Sequence, residues 1–153
     1  MKSNIKLLAL SALVIILLFS FISTSSQQGE MEAVKKVVFE SYINGAFNEL
    51  DADSMEEGFH EDFAIYSAKG EAIDKYPIAE WVSGVRKRKT DDYNPKDPKN
   101  VWDHKFINID ITGGAAQVKV ELRNQGKHVF TDYLSLLKFD SGWKIVGKVY
   151  HRH

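Results

Sequence analysis

The sequence predicts an α+β domain in which three N-terminal helices pack on a curved antiparallel sheet, giving a cone closed on one side by helices. Three observations carry that expectation. Apolar residues recur at helical spacing from Met31 through Val85, and the last third of the chain switches to alternation. Turn residues, Gly113-Gly114, Gln125-Gly126 and Asp140-Ser141-Gly142, then cut the alternating third into four strand lengths.

A leader precedes the domain. Lys2 and Lys6 stand before an apolar run from Leu7 to Ile22, and Ser23, Thr24, Ser25 and Ser26 follow it, which is the three-part layout of a secretory signal peptide. Residues 1–26 are therefore expected to be cleaved, leaving 27–153 as a secreted or periplasmic domain. A membrane enters only if the segment stays on as an uncleaved anchor. The chain has no cysteine, which excludes disulfides, thiolate chemistry and a thiol-borne lipid anchor. The remaining stretch of about 127 residues is the size of one compact domain with a full core. Loss of Lys2 and Lys6 takes two from 20 basic residues against 21 acidic ones, so the net charge moves from −1 to −3 and no nucleic-acid partner is expected. The run Arg86-Lys87-Arg88-Lys89 reads as a solvated helix end, where cations oppose the dipole's negative pole.

The first helix is expected over Met31–Leu50. Val34, Val38, Tyr42 and Gly45 form one stripe, and Phe39, Ile43, Phe47 and Leu50 a second, so a sheet clasping the helix on two sides is expected. Asp53 or Ser54 has the chemistry to cap a short second helix ending at Gly58, and a brief strand follows through Tyr66. Gly70 marks a turn. Pro77 suits the first turn of a third helix with Trp81, Val82 and Val85 inward, and Asp91–Asn100, carrying Pro95 and Pro98, reads as an irregular loop. Strands are expected over 104–112, 115–124, 127–139 and 143–152.

Their register follows from the turns. Two-residue turns pair Thr112 with Ala115 and Asn124 with Lys127, and a three-residue turn pairs Phe139 with Trp143. Counted outward, these place Ile107, Ile109, Ile111, Ala116, Val118, Val120 and Leu122 on the buried face, continued by Val129, Thr131, Tyr133, Ser135, Leu137 and Phe139, then Trp143, Ile145, Gly147, Val149 and His151. Asp110, Asp132 and Lys148 fall on the other face. So does an apolar island of Phe130, Leu134, Leu136, Val146 and Tyr150, which predicts a homodimer through that outer face.

Phe130-Thr131-Asp132-Tyr133-Leu134-Ser135-Leu136-Leu137-Lys138, Gly142-Trp143-Lys144-Ile145-Val146 and Lys148-Val149-Tyr150-His151-Arg152 together resemble the C-terminal signature of the putative lumazine-binding family. Phe59-His60-Glu61-Asp62-Phe63 is similar to that family's Phe-His-Pro-Asp stretch, with Glu61 where proline is common. The resemblance spans about Glu30 to His153. It implies the cone-shaped nuclear transport factor 2-like fold shared with ketosteroid isomerase, scytalone dehydratase and SnoaL-like cyclases, and its name implies a suggested ligand.

The residues point first to an exported small-molecule-binding domain with an aromatic-lined cavity in the cone. Tyr42, His60, Tyr66, Trp81, Thr131, Tyr133, Ser135 and His151 are the candidate lining, suited to a small aromatic or apolar guest. A cofactor-free lyase or isomerase is the alternative, with His60 or His151 as base and Tyr133 as donor. Its usual interior carboxylate would have to come from outside the sheet, from Glu61 or Asp62. A structural homodimeric module is the third reading. Neither a cofactor nor a metal is expected: the five histidines, 60, 104, 128, 151 and 153, have no close ligand spacing apart from the last two, and no nucleophile elbow or phosphate loop occurs.

Overall fold

The computed structural model describes residues 27–153. The expected signal peptide lies outside the described residues. Contacts divide the chain into 1–32 and 33–153. Of the first unit, residues 27–32 are described and helical; the fold below belongs to the second.

Residues 33–37 are α-helical and run into α1 (Val38–Asn48), which is wound as a π-helix and closes with the Glu49 N–H on Asn44 O, 2.8 Å away and five residues back. Such winding is rare at this length. It turns Val38, Tyr42, Ile43 and Ala46 inward together and leaves Phe39 exposed against the His104 ring, so the two expected stripes merge into one broad buried face. The helix's last carbonyls find partners outside it, as exposed backbone ends require. Arg88 donates to Ala46 O and the Tyr93 hydroxyl to Asn48 O, while the Asn48 side chain bonds the Trp102 backbone N–H at 2.7 Å. The irregular loop is thereby pinned to the helix end.

The second helix, α2 (Ala52–Gly58), is capped by Asp51, whose carboxylate accepts from the N–H groups of Asp53 and Ser54. The cap was expected two or three residues later. The chain passes directly into β1 (Phe59–Lys69), turns at Gly70 and returns as β2 (Ala72–Pro77), a strand that the alternation did not announce. Pro77 then stands at the N-cap of α3 (Ile78–Arg88), with Trp81, Val82 and Val85 buried as expected.

Four long strands complete the sheet: β3 (Trp102–Thr112), β4 (Ala115–Asn124), β5 (Lys127–Phe139) and β6 (Gly142–Arg152). The order is β2-β1-β6-β5-β4-β3, and β1 runs parallel to β6, so the sheet is mixed where an antiparallel one was expected.

The expected register holds at two turns and fails beyond them. Thr112 pairs with Ala115 and Asn124 with Lys127, but Phe139 pairs with Gly142, not Trp143. Three bulges add one residue each: Ile107 between the Phe106–Val120 and Asn108–Lys119 pairs, Val129 between Arg123–His128 and Leu122–Phe130, and Val146 between Leu136–Ile145 and Ser135–Gly147. An extra residue reverses which side chains face the core from that point on. On β5 and the later half of β6 the two faces are exchanged relative to the expectation. Leu134 and Leu136 are fully buried and Phe130 packs on the core, whereas Tyr133, Leu137 and Val149 are exposed.

Candidate functional site

The exchange of faces carries a charge pair inside. Asp132 on β5 and Lys148 on β6, both expected in water, are 0 % and 5 % exposed. They meet Tyr42 from α1 in a closed ring. The Tyr42 hydroxyl donates to Asp132 Oδ2 at 2.6 Å, the Lys148 ammonium donates to that hydroxyl at 2.7 Å, and Lys148 Nζ lies 3.0 Å from Asp132 Oδ1. Oδ1 has this Coulombic contact but no donor aligned on it. Aromatic faces surround the ammonium: the rings of Tyr42, Tyr150, Trp81, Phe130 and Phe47 lie 4.8 to 5.9 Å from Nζ, within cation–π range. Burial, then the Asp132 charge, pushes the Tyr42 phenol well above its ordinary range. Burial also lowers the Lys148 ammonium's affinity for its proton, with Asp132 opposing that effect.

The candidate lining residues separate into three places. Tyr42 and Trp81 are in the core, their rings edge-to-face at 6.0 Å. His60 is half-buried at the start of β1, stacked on Phe139, and its Nδ1 accepts the Asp62 N–H at 3.2 Å. Thr131, Tyr133, Ser135 and His151 lie on the outer face, and Tyr66 joins them by alternation from Ala64, the partner of Gly147. Thr131 is tied there to the rings of His128 and His153, and Ser135 accepts from Gln117 at 2.7 Å. His60, stacked on Phe139, is therefore six residues along β5 from Tyr133, whereas His151 shares Tyr133's face. The expected dimer residues are corrected in the same way: Phe130, Leu134 and Leu136 face inward, Tyr150 shares their side by register while staying 42 % exposed, and Val146 is the bulge residue.

Sequence reasoning missed Asp132 and Lys148. The signal was present in the apolar island itself. A face bearing Phe130, Leu134 and Leu136 is better placed in a core than in water, and moving it inward brings Asp132 with it.

A cleft of about 660 Å³ opens between α2, the start of β1 and α3, and His60 is the one candidate lining residue that borders it. Phe59, Ile78 and Val82 form its floor, and Ser83, Arg86 and Lys87 stand along α3. Its size is that of a small-molecule site. Arg86 is already engaged: it bonds both oxygens of Glu56 at 2.9 Å and Asp53 at 2.8 Å, which holds the Glu56 carboxyl below its usual range. Among the described residues, no group of three or more His, Cys, Asp or Glu is placed to hold a metal.

Three helices on a curved mixed sheet, with a polar cluster inside the cone, define a nuclear transport factor 2-like domain. The chain belongs to the family described as putative lumazine-binding, whose pattern matches residues 29–151. Solved structures agree on the fold. A nuclear transport factor 2-like protein of unknown function from Shewanella baltica is 24 % identical with a TM-score of 0.64, covering 82 % of this chain and 94 % of its own. One from Silicibacter pomeroyi is 17 % identical with a TM-score of 0.65, covering 83 % and 98 %. Another, from Methylobacillus flagellatus, is 28 % identical with a TM-score of 0.59, covering 82 % and 93 %. No protein with a curated description matches the chain.

Proposed function

We propose that this chain is an exported ligand-binding domain that holds a small apolar or aromatic molecule beside α3 and acts as a homodimer through the outer sheet face. The observation that carries the reading is the cleft of about 660 Å³ with its apolar floor. The family's description suggests a lumazine-like heterocycle, and a flat ring system of that kind is within the range such a volume accepts. The leader layout of residues 1–26 supports export. Exposed Tyr66, Tyr133, Leu137 and Val149 on one sheet face support association.

One measurement reads all three parts: native mass spectrometry of protein purified from its own export compartment. The expected species is a dimer of chains starting near residue 27, carrying a small organic molecule. Monomers that retain residues 1–26 and carry nothing would sink the reading.

A second reading, a cofactor-free lyase or isomerase, is favoured by one observation. Asp132 is the interior carboxylate such chemistry needs, and Tyr42 donates to it at 2.6 Å. The carboxylate already faces a buried cation, however, and aromatic rings close over the cluster, so a substrate would have to open the core to reach it. Binding is the better supported reading.

A further inference from the structure

The cleft has a direction. Ile78, Val82 and Arg86 recur every four residues along α3, and Ala79, Ser83 and Lys87 run beside them, so the groove extends over ten residues, about 14 Å at a helical rise of 1.5 Å per residue. Phe59, Ile78 and Val82 make one end apolar, and the other is charged. There Arg86 is spent on Glu56 and Asp53. Lys87 has no acidic partner among the described residues and is exposed, and Ser83 sits one turn before it. Glu61, from β1, is the one lining acid outside the Arg86 cluster.

Ser83 and Lys87 also border a second cleft of about 510 Å³, whose other walls are Tyr76, Ala79, Glu80 and Gly84. That cleft has no aliphatic floor beyond Ala79 and presents a carboxylate from the helix itself. An apolar body is therefore better received in the first.

We propose that the first cleft takes an elongated amphipathic anion, its apolar body on Phe59, Ile78 and Val82 and its carboxylate at Lys87 and Ser83. This rests on the ligand-binding reading and adds the chemical class and orientation of the ligand. A charge-assisted hydrogen bond to a lone, uncompensated ammonium supplies the preference for an acid over its neutral twin, and the groove's length sets the span from tail to head.

The test is a residue-resolved NMR titration of the full chain at neutral pH with decanoate and, separately, decanol, which share a tail and differ in head. The expected result is shifts confined to α3 and the start of β1, with decanoate binding a few-fold more tightly, the ratio that an exposed ammonium–carboxylate pair supports. Lys87→Met should bring decanoate down to the affinity of decanol, and Lys87→Arg should keep the preference; Lys87 is exposed, so neither change threatens the fold. Equal affinities in the native chain, or a preference that survives Lys87→Met, would overturn the assigned head-group site while leaving the ligand-binding reading in place. If neither compound shifts the cleft up to its solubility limit, the inference fails, while the ligand-binding reading, whose guest is a flat ring system, is judged separately by native mass spectrometry.

Discussion

Asp132 and Lys148 occupy a place where single charges are not tolerated. Taking either ion from water costs several kcal/mol even after relaxation, and their mutual attraction repays this only while both are present and well bonded. Tyr42 completes the arrangement by accepting from the ammonium and donating to the carboxylate. Asp132→Asn keeps the shape and removes the negative charge, so Lys148 would be left as a buried cation with only aromatic faces and a phenol around it. The expected loss is about 3–5 kcal/mol in denaturant unfolding. Replacing the set together, with Asp132→Leu, Lys148→Met and Tyr42→Phe, should return the stability to near that of the native chain, because no charge remains to be desolvated. If Asp132→Asn loses less than about 1 kcal/mol, the ion pair is not the energetic unit described here.

At the scale of elements, the contact between α1 and α2 depends on the absence of one methyl group. A Cβ at Gly58 would lie 2.0 Å from Ser41 Oγ and 2.3 Å from Ser41 Cβ, so Gly58→Ala should destabilise the chain by about 1–3 kcal/mol through overpacking, read as a lowered denaturant midpoint. Adding Ser41→Gly should recover part of that loss, and a double variant no better than the single one would place the strain elsewhere. Much of this level was legible in the residues. Helical spacing located α3, and the turn glycines located the ends of β3 and β4, because those signals are local. The faces of β5 and β6 were not legible, because Val129 bulges without a glycine or proline to mark it, and Gly147, the in-strand glycine beside the Val146 bulge, reads by alternation as an ordinary inward position. Both bulge residues are β-branched and apolar, as an ordinary strand residue would be. The same blindness hid the candidate site. Tyr42 was found from its stripe, but its partners Asp132 and Lys148 lie beyond bulges, and the cleft joins Phe59 to α3 by tertiary packing that no sequence period encodes.

For the whole molecule, the question is what covers the outer sheet face. Four strands about 4.8 Å apart and ten or more residues long give a flat footprint on the order of 600 Å². Standing side chains raise that toward the roughly 800 Å² per partner of a standard interface. The face has relief suited to a copy of itself. Tyr133 and Val149 pair across β5 and β6 as an exposed ridge, and the next row, Ser135 and Gly147, is a furrow in which a Cβ at Gly147 meets no atom within 4 Å. Under a two-fold axis each ridge can enter the other's furrow, since the same patch serves both copies. Val149 is 51 % exposed within one chain, so Val149→Asp should leave the chain's own folding nearly unchanged while setting a carboxylate into the contact of each copy. Sedimentation velocity at micromolar concentration is expected to give a dimer for the native chain and a monomer for the variant, with matching far-ultraviolet circular dichroism. A native chain that sediments as a monomer, or a variant that remains a dimer, would mean that the ridge and furrow do not join two copies.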